Sequence, residues 1–176
     1  WNVGFGGKLN ASDDRDQFVP ISGASNGRLV IEGKQIDPFR VDVGRSRVEV
    51  RSSAAIDLRV PRRARLAYRD VASATNRLTL IAAIVPARAV TTHTLFCLRT
   101  PLPLSSQRVL CALLNSYVAN YLIRLRVNTH VTVSLVSRLP VPVVPAGHPL
   151  FTRLAECSEA ISIGSRPAEE MEEYGE

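Results

Sequence analysis

Apolar positions along this chain follow a short period in the first hundred residues and a longer one after that. Residues 1–27 are polar and turn-rich (GFGG, SDDRD, SGASNG), with Trp1, Phe5 and Phe18 as the expected anchors. RLVIEGKQIDPF (28–39) predicts a short strand, a turn at Glu32-Gly33 and a second extended piece closed by Pro38. RVEVR (47–51) and RLAYR (65–69) alternate apolar and polar residues and predict half-exposed strands. LTLIAAIV (78–85) is uncharged and stops at Pro86, which predicts a strand covered on both faces, with a buried helical turn as the competing reading. THTLFCLR (92–99) predicts a further strand.

The period then lengthens. Leu110, Leu113, Leu114, Tyr117 and Tyr121 recur at helical spacing, predicting one helix over about 105–126, capped by Ser105 or Ser106. Arg124 and Arg126 in its last turn would meet the negative end of the helix dipole. THVTVSLV (129–136) predicts a short strand, RLPVPVVPAGHP an extended crossing segment, and FTRLAECSEAISI a C-terminal helix over about 150–163. Mixed strands with two helices give an α+β, or α/β, class. The expected organisation is one domain over 1–163 followed by an acidic flexible tail over 164–176.

Composition narrows the class. With 176 residues and 45% apolar content the chain can bury a core, which excludes a disordered polypeptide. It begins at Trp1 with no charged leader, so it reads as a segment of a longer protein. The apolar run 109–123 has fifteen residues, interrupted by Asn115, Ser116 and Asn120, and is too short to span a bilayer. A soluble cytoplasmic protein with no membrane partner is expected. Cys97, Cys111 and Cys157 fit neither a disulfide framework nor a metal site and read as buried thiols.

Charge changes the picture more. All 22 Lys and Arg lie in residues 1–168 against eleven acids, a net +11, and five Glu in the last eight residues bring the whole chain to +6. Between Val43 and Ala155 sixteen Arg face three acids, Glu49, Asp57 and Asp70. Such an excess suits a polyanion, because phosphate contacts release counterions and Arg offers a planar fork. Arg-rich composition by itself is equally compatible with an inert basic surface.

Catalytic chemistry finds no footing. GFGG lacks the preceding strand and following helix of a cofactor loop, and no P-loop occurs. No spacing pairs a Cys with His93, His130 or His148, and Asp13, Asp14 and Asp16 lack the Gly and Glu that complete a calcium loop. The basic segments remain. In VPRRARLAYRD (60–70), Arg62 and Arg63 are candidates for phosphate contacts, and Arg63, Arg65 and Arg69 share parity along an extended chain, so one face could carry all three. Asn76 and Arg77, just before a rigid strand, have the chemistry to reach base edges. The alternative is that Asn76 shapes a turn and Arg77 pairs with Asp70.

The order of motifs carries a resemblance. IEGKQIDPF, then YRDVASATNRLTLIAAIVP, then ALLNSYVANYLIR, then RLPVP together resemble the C-terminal target-recognition region of large N6-adenine DNA methyltransferases. Type IIG restriction–modification enzymes and phage-defence methylases with a TaqI-like specificity domain belong to that group, and the likeness spans about residues 1–145. It implies a module that grips double-stranded DNA and reads a short sequence. Methyl transfer, with S-adenosylmethionine and a flipped adenine, would belong to an N-terminal methyltransferase domain that is this module's partner in the parent chain. No Asn-Pro pair occurs here, so no cofactor is expected in this chain and it should be catalytically inert. By matching position, Lys34, Arg69, Asn76, Arg77, Asn115 and Arg124 are the family-like polar residues, with Arg69 and Arg77 foremost for DNA and Asn115 favoured as structural. The competing class is an interaction domain whose Arg surface meets an acidic protein.

Overall fold

The computed structural model describes residues 1–6, 18–21, 27–50, 62–72, 75 and 77–164. Within them the chain is α+β. The central sheet orders β1 (Phe5–Gly6), β10 (Leu95–Leu98), β7 (Arg65–Arg69) and β8 (Ala82–Val85), every neighbour antiparallel. A second sheet orders β2 (Phe18–Pro20), β6 (Val48–Val50), β3 (Arg28–Ile31) and β9 (Val90–Thr91), with β3 and β9 parallel. A two-stranded ribbon, β4 (Ile36–Asp37) with β5 (Arg40–Val41), joins them. Helices α1 (Leu104–Asn115), α2 (Tyr117–Arg124), α3 (Val133–Ser137) and α4 (Pro149–Ile163) follow. No helix among the described residues is long and apolar enough to cross a membrane.

The central sheet is covered on both faces. Leu66, Tyr68, Leu80 and Ala82 pack with Leu110, Cys111, Leu114 and Ile123 of the helical layer. On the opposite face Ala67, Ala83, Val85, Leu95 and Cys97 pack with Ile31 and Ile36. This explains one departure from the sequence pattern. RLAYR alternates, yet Arg65 through Tyr68 are all buried, because a layer lies on each side. RVEVR departs in the same way: Glu49 is only 7% exposed. The expectation of a doubly covered strand within 78–85 holds for β8, while residues 78–81 stay outside the ladder.

Side-chain amides satisfy backbone groups both here and in the adjoining strands β7 and β8. Asn120 Oδ1 accepts from the backbone N–H of Thr79 and of Leu80, both at 2.9 Å. Asn115 grips Ala82 twice, accepting from its N–H at 3.0 Å and donating to its carbonyl at 2.8 Å, as a neighbouring strand would. Phe39 N–H donates to the same carbonyl at 2.9 Å. Gln107, 3% exposed, accepts from Leu66 N–H at 2.7 Å. Buried backbone groups left without partners are costly, so these amides register the helices on the sheet. The structural reading of Asn115 is the one its geometry supports.

The helical region needs two corrections. The helix expected over 105–126 breaks at Ser116, whose φ of −62° and ψ of 151° are extended. Its hydroxyl donates to Leu113 O at 2.7 Å and accepts from Ala119 N–H at 3.2 Å, closing one helix and capping the next. Short polar side chains compete with the helical ladder in this way. The break turns Ala119, Asn120 and Ile123 inward and leaves Tyr117 and Tyr121 outside, where the periodicity had put them in the core. The first helix also starts at Leu104 behind Pro103, not at a serine cap. The strand expected over 129–136 is instead α3, capped by the Thr132 hydroxyl, which accepts from Leu135 N–H.

The C-terminal helix stands as read. His148 caps it through Nδ1, Pro149 opens it, and Gly164 ends it at φ 80°, a left-handed conformation that favours glycine. Arg40 donates from Nε to Ile161 O at 3.0 Å, a cation at the helix's negative end.

Replacing Asn115 with Ala is expected to lower stability by about 2–3 kcal/mol, because the change strips hydrogen bonds from both polar groups of Ala82. Replacing Arg40, at an exposed helix end, should cost less than about 1 kcal/mol. Urea denaturation of the two variants gives the comparison.

Candidate nucleic-acid interface

Three chain segments meet at one end of the central sheet. Arg69 closes β7 opposite Leu95, the first residue of β10, and Tyr68 sits opposite Ala82, the first of β8. Arg69 N–H donates to Ile81 O at 3.0 Å, so the 77–81 segment lies against the end of β7. A 3-10 turn over Gly33–Gln35 is tied to the same end. Gly33 N–H donates to Thr94 Oγ1 at 2.8 Å, and Asp70 N–H donates to Thr94 O at 3.0 Å. A Cβ on Gly33 would stand 3.2 Å from that carbonyl, so a larger residue would push the turn and Thr94 apart by a few tenths of an ångström. Lys34 and Arg69, distant in sequence, thereby line one cavity of about 220 Å³ together with Glu32, Gly33, Val71 and Thr94.

Two of the charges here have partners within the protein. Lys34 Nζ lies 2.7 Å from Glu32 Oε2, with the lysine side chain 66% exposed. Asp70 does not pair with Arg77. Its carboxylate, 13% exposed, meets Nδ1 of His130 at 2.9 Å, and its carbonyl accepts from Val131 N–H at 2.7 Å. Arg77 is exposed at the head of the 77–81 segment. Arg124, at the end of α2, donates from Nη2 to Arg77 O at 2.8 Å and from Nε to Thr79 Oγ1 at 3.3 Å. Its guanidinium is thus a brace for the backbone that presents Arg77. Asn76 lies outside the described residues.

The other basic candidates do not join this group. Arg65 is 2% exposed, donates from Nη2 to Ala89 O at 2.8 Å, and its Nε and Nη1 have no hydrogen-bond partner among the described residues. The expectation that Arg63, Arg65 and Arg69 share one displayed face is therefore corrected. Parity is kept, but that face of β7 is covered by the second layer. Arg62 and Arg63 are exposed just beyond the far end of β7, a strand about 13 Å long at the usual rise. There Arg63 donates to Arg99 O at 3.2 Å.

Chemically this end offers cations carried on backbone-anchored loops. Among the described residues no group of His, Cys, Asp and Glu could hold a metal ion. The thiols follow their burial. Cys97 and Cys111 are buried and Cys157 is partly exposed, and burial pushes the Cys111 thiol up to about 12 against smaller lowering from Ser158 and Asn115. Sequence reasoning missed Thr94 and His130, which tie the loops together, and it missed the outward tyrosines. The motif Arg-Asp directly after a strand was the one visible signal of the Asp70 anchor. No protein-family model matches the chain, and no curated protein sequence is similar to it.

At pH 8 a thiol reagent is expected to modify Cys157 quickly, with Cys97 and Cys111 reacting only after unfolding. The stability contributed by the Cys111 proton is complete below the ordinary thiol value of about 8.5 and declines as pH climbs toward 12. Mass mapping of labelled peptides checks the order of reaction.

Proposed function

We propose that this chain is a sequence-reading module for double-stranded DNA. It would be the target-recognition part of an N6-adenine methyltransferase of the restriction–modification or phage-defence kind, with the catalytic domain outside this chain. The observation that carries this reading is the gathering of Lys34, Arg69, Arg77 and Arg124 at one end of a rigid sheet. Phosphate contacts need only positive charge, whereas base discrimination needs donors held in place. The braced segment under Arg77 meets that second demand. Arg69 supplies the first, beside Lys34, which is itself paired with Glu32, while Asp70 hydrogen-bonds His130.

Methyl transfer lies outside this reading of the chain's own residues. The S-adenosylmethionine and the flipped adenine would be handled by the domain that the motif resemblance implies. Here the contribution is to hold the duplex in register, so that the rate at a correct site reflects binding energy gathered at a distance from the reacting atoms.

Duplex binding by fluorescence anisotropy is expected to weaken steeply with salt, its log–log slope falling by about 0.9 for each phosphate contact removed. Arg69→Ala should reduce that slope. Arg77→Ala should flatten sequence preference, by about 1–3 kcal/mol at the affected position, in selections from randomised duplexes. Arg62→Ala, at the far end of β7, should weaken all sequences alike and less than Arg69→Ala. Absence of duplex binding by the unaltered chain at low salt, or indifference to both Arg69 and Arg77, would contradict the proposal.

A further inference from the structure

Helix α2 turns two aromatic rings to solvent. Tyr117 is 87% exposed and Tyr121 61%, with Val118 at 69% and Leu125 at 61% beside them. Aromatic side chains of this size are ordinarily buried over most of their surface. Their position follows from the break at Ser116, which commits Ala119, Asn120 and Ile123 to the core. Tyr117, Tyr121 and Arg124 recur at i, i+4 and i+7, so they form one stripe with neighbouring Cβ atoms about 5–6 Å apart. At its end Arg124 bonds Arg77 O and Thr79 Oγ1, which makes the stripe continuous with the basic end of the sheet.

The electrostatic setting selects the occupant. From Val71 to Ala155 the chain carries eight arginines and no Asp or Glu. An apolar protein surface docking on this stripe would leave the exposed Arg77 and Arg126 at its margin without an anionic counterpart. A nucleic-acid strand supplies flat π-faces for the rings and phosphates for the guanidinium groups at once. Bases inside an intact duplex are stacked on each other and present no free face, so the fitting ligand is a strand with unpaired bases. We propose that Tyr117 and Tyr121 form a stacking platform for unpaired DNA bases next to the duplex-binding end, engaged where the double helix is locally opened. This inference rests on the DNA-binding reading and adds a preference for opened over fully paired DNA.

The test uses the full chain and two labelled DNAs of equal length, one fully paired and one with a short central mismatched bubble. The unaltered protein should bind the bubble more tightly than the duplex. Tyr117→Ala and Tyr121→Ala should each weaken bubble binding about tenfold, as expected for loss of one base-stacking ring, while duplex binding stays unchanged. Tyr→Phe at both positions should retain the preference, since stacking needs the ring and not the hydroxyl. Unchanged melting temperatures would show that these exposed positions leave the fold intact. Duplex binding without bubble preference, or a preference that survives the double alanine variant, would overturn the platform alone. Failure to bind either DNA would overturn the DNA reading with it. A self-associated species in sedimentation that the double alanine variant dissociates would make the face a protein contact and also overturn it.

Discussion

The N–H groups of Thr79 and Leu80 and both polar groups of Ala82 lie in a buried layer and take their hydrogen bonds from outside the β7 ladder. The placement of the 77–81 segment depends on how those groups are satisfied. Asn120 takes the N–H groups of Thr79 and Leu80, and Asn115 takes both polar groups of Ala82. An unsatisfied buried amide or carbonyl costs about 1–3 kcal/mol, so these bonds matter more for what they prevent than for what they add. They also fix position. The helical layer cannot slide along the sheet without breaking several of them together.

That fixed position is transmitted to the surface through short covalent distances. Arg77 and Thr79 sit just ahead of the anchored backbone, and Arg124, one helical turn beyond Asn120, binds both. On the other side Thr94 links the turn carrying Lys34 to the end of β7 carrying Arg69. The backbone under Arg77 is thereby held in place, which is the support that the proposed reading of DNA would use. Asp70 hydrogen-bonds His130 instead of pairing with Arg77.

The sequence made the strands and the last helix legible because each has a clean boundary. Pro86 closes β8, Pro38 closes the ribbon's first arm, and Gly164 ends α4. It concealed the break at Ser116 because leucines and tyrosines keep helical spacing across it; the only hint was the adjacent Asn115-Ser116 pair, whose side chains bond backbone instead of solvent. THVTVSLV looked like a strand because its β-branched residues dominate, yet the Thr132 cap and tertiary packing decide for a short helix. Arg65 shows the limit of parity arguments. Alternation tells which residues share a face but not whether a second layer covers it. Lys34 and Arg69 were both singled out from the chain, while their shared cavity comes from Thr94 and tertiary structure. Asn76, the remaining base-reading candidate, falls outside the described residues.

The most direct measurement is a two-dimensional amide NMR titration of this chain with a short DNA duplex. Shifts should concentrate at Lys34, at Arg69 to Val71, at Arg77 and Leu78 and at Arg124, with the amides bound by Asn115 and Asn120 little changed. Shifts confined to the Arg62, Arg63 and Arg99 end, or none at any duplex concentration, would contradict a braced, DNA-facing end of the sheet.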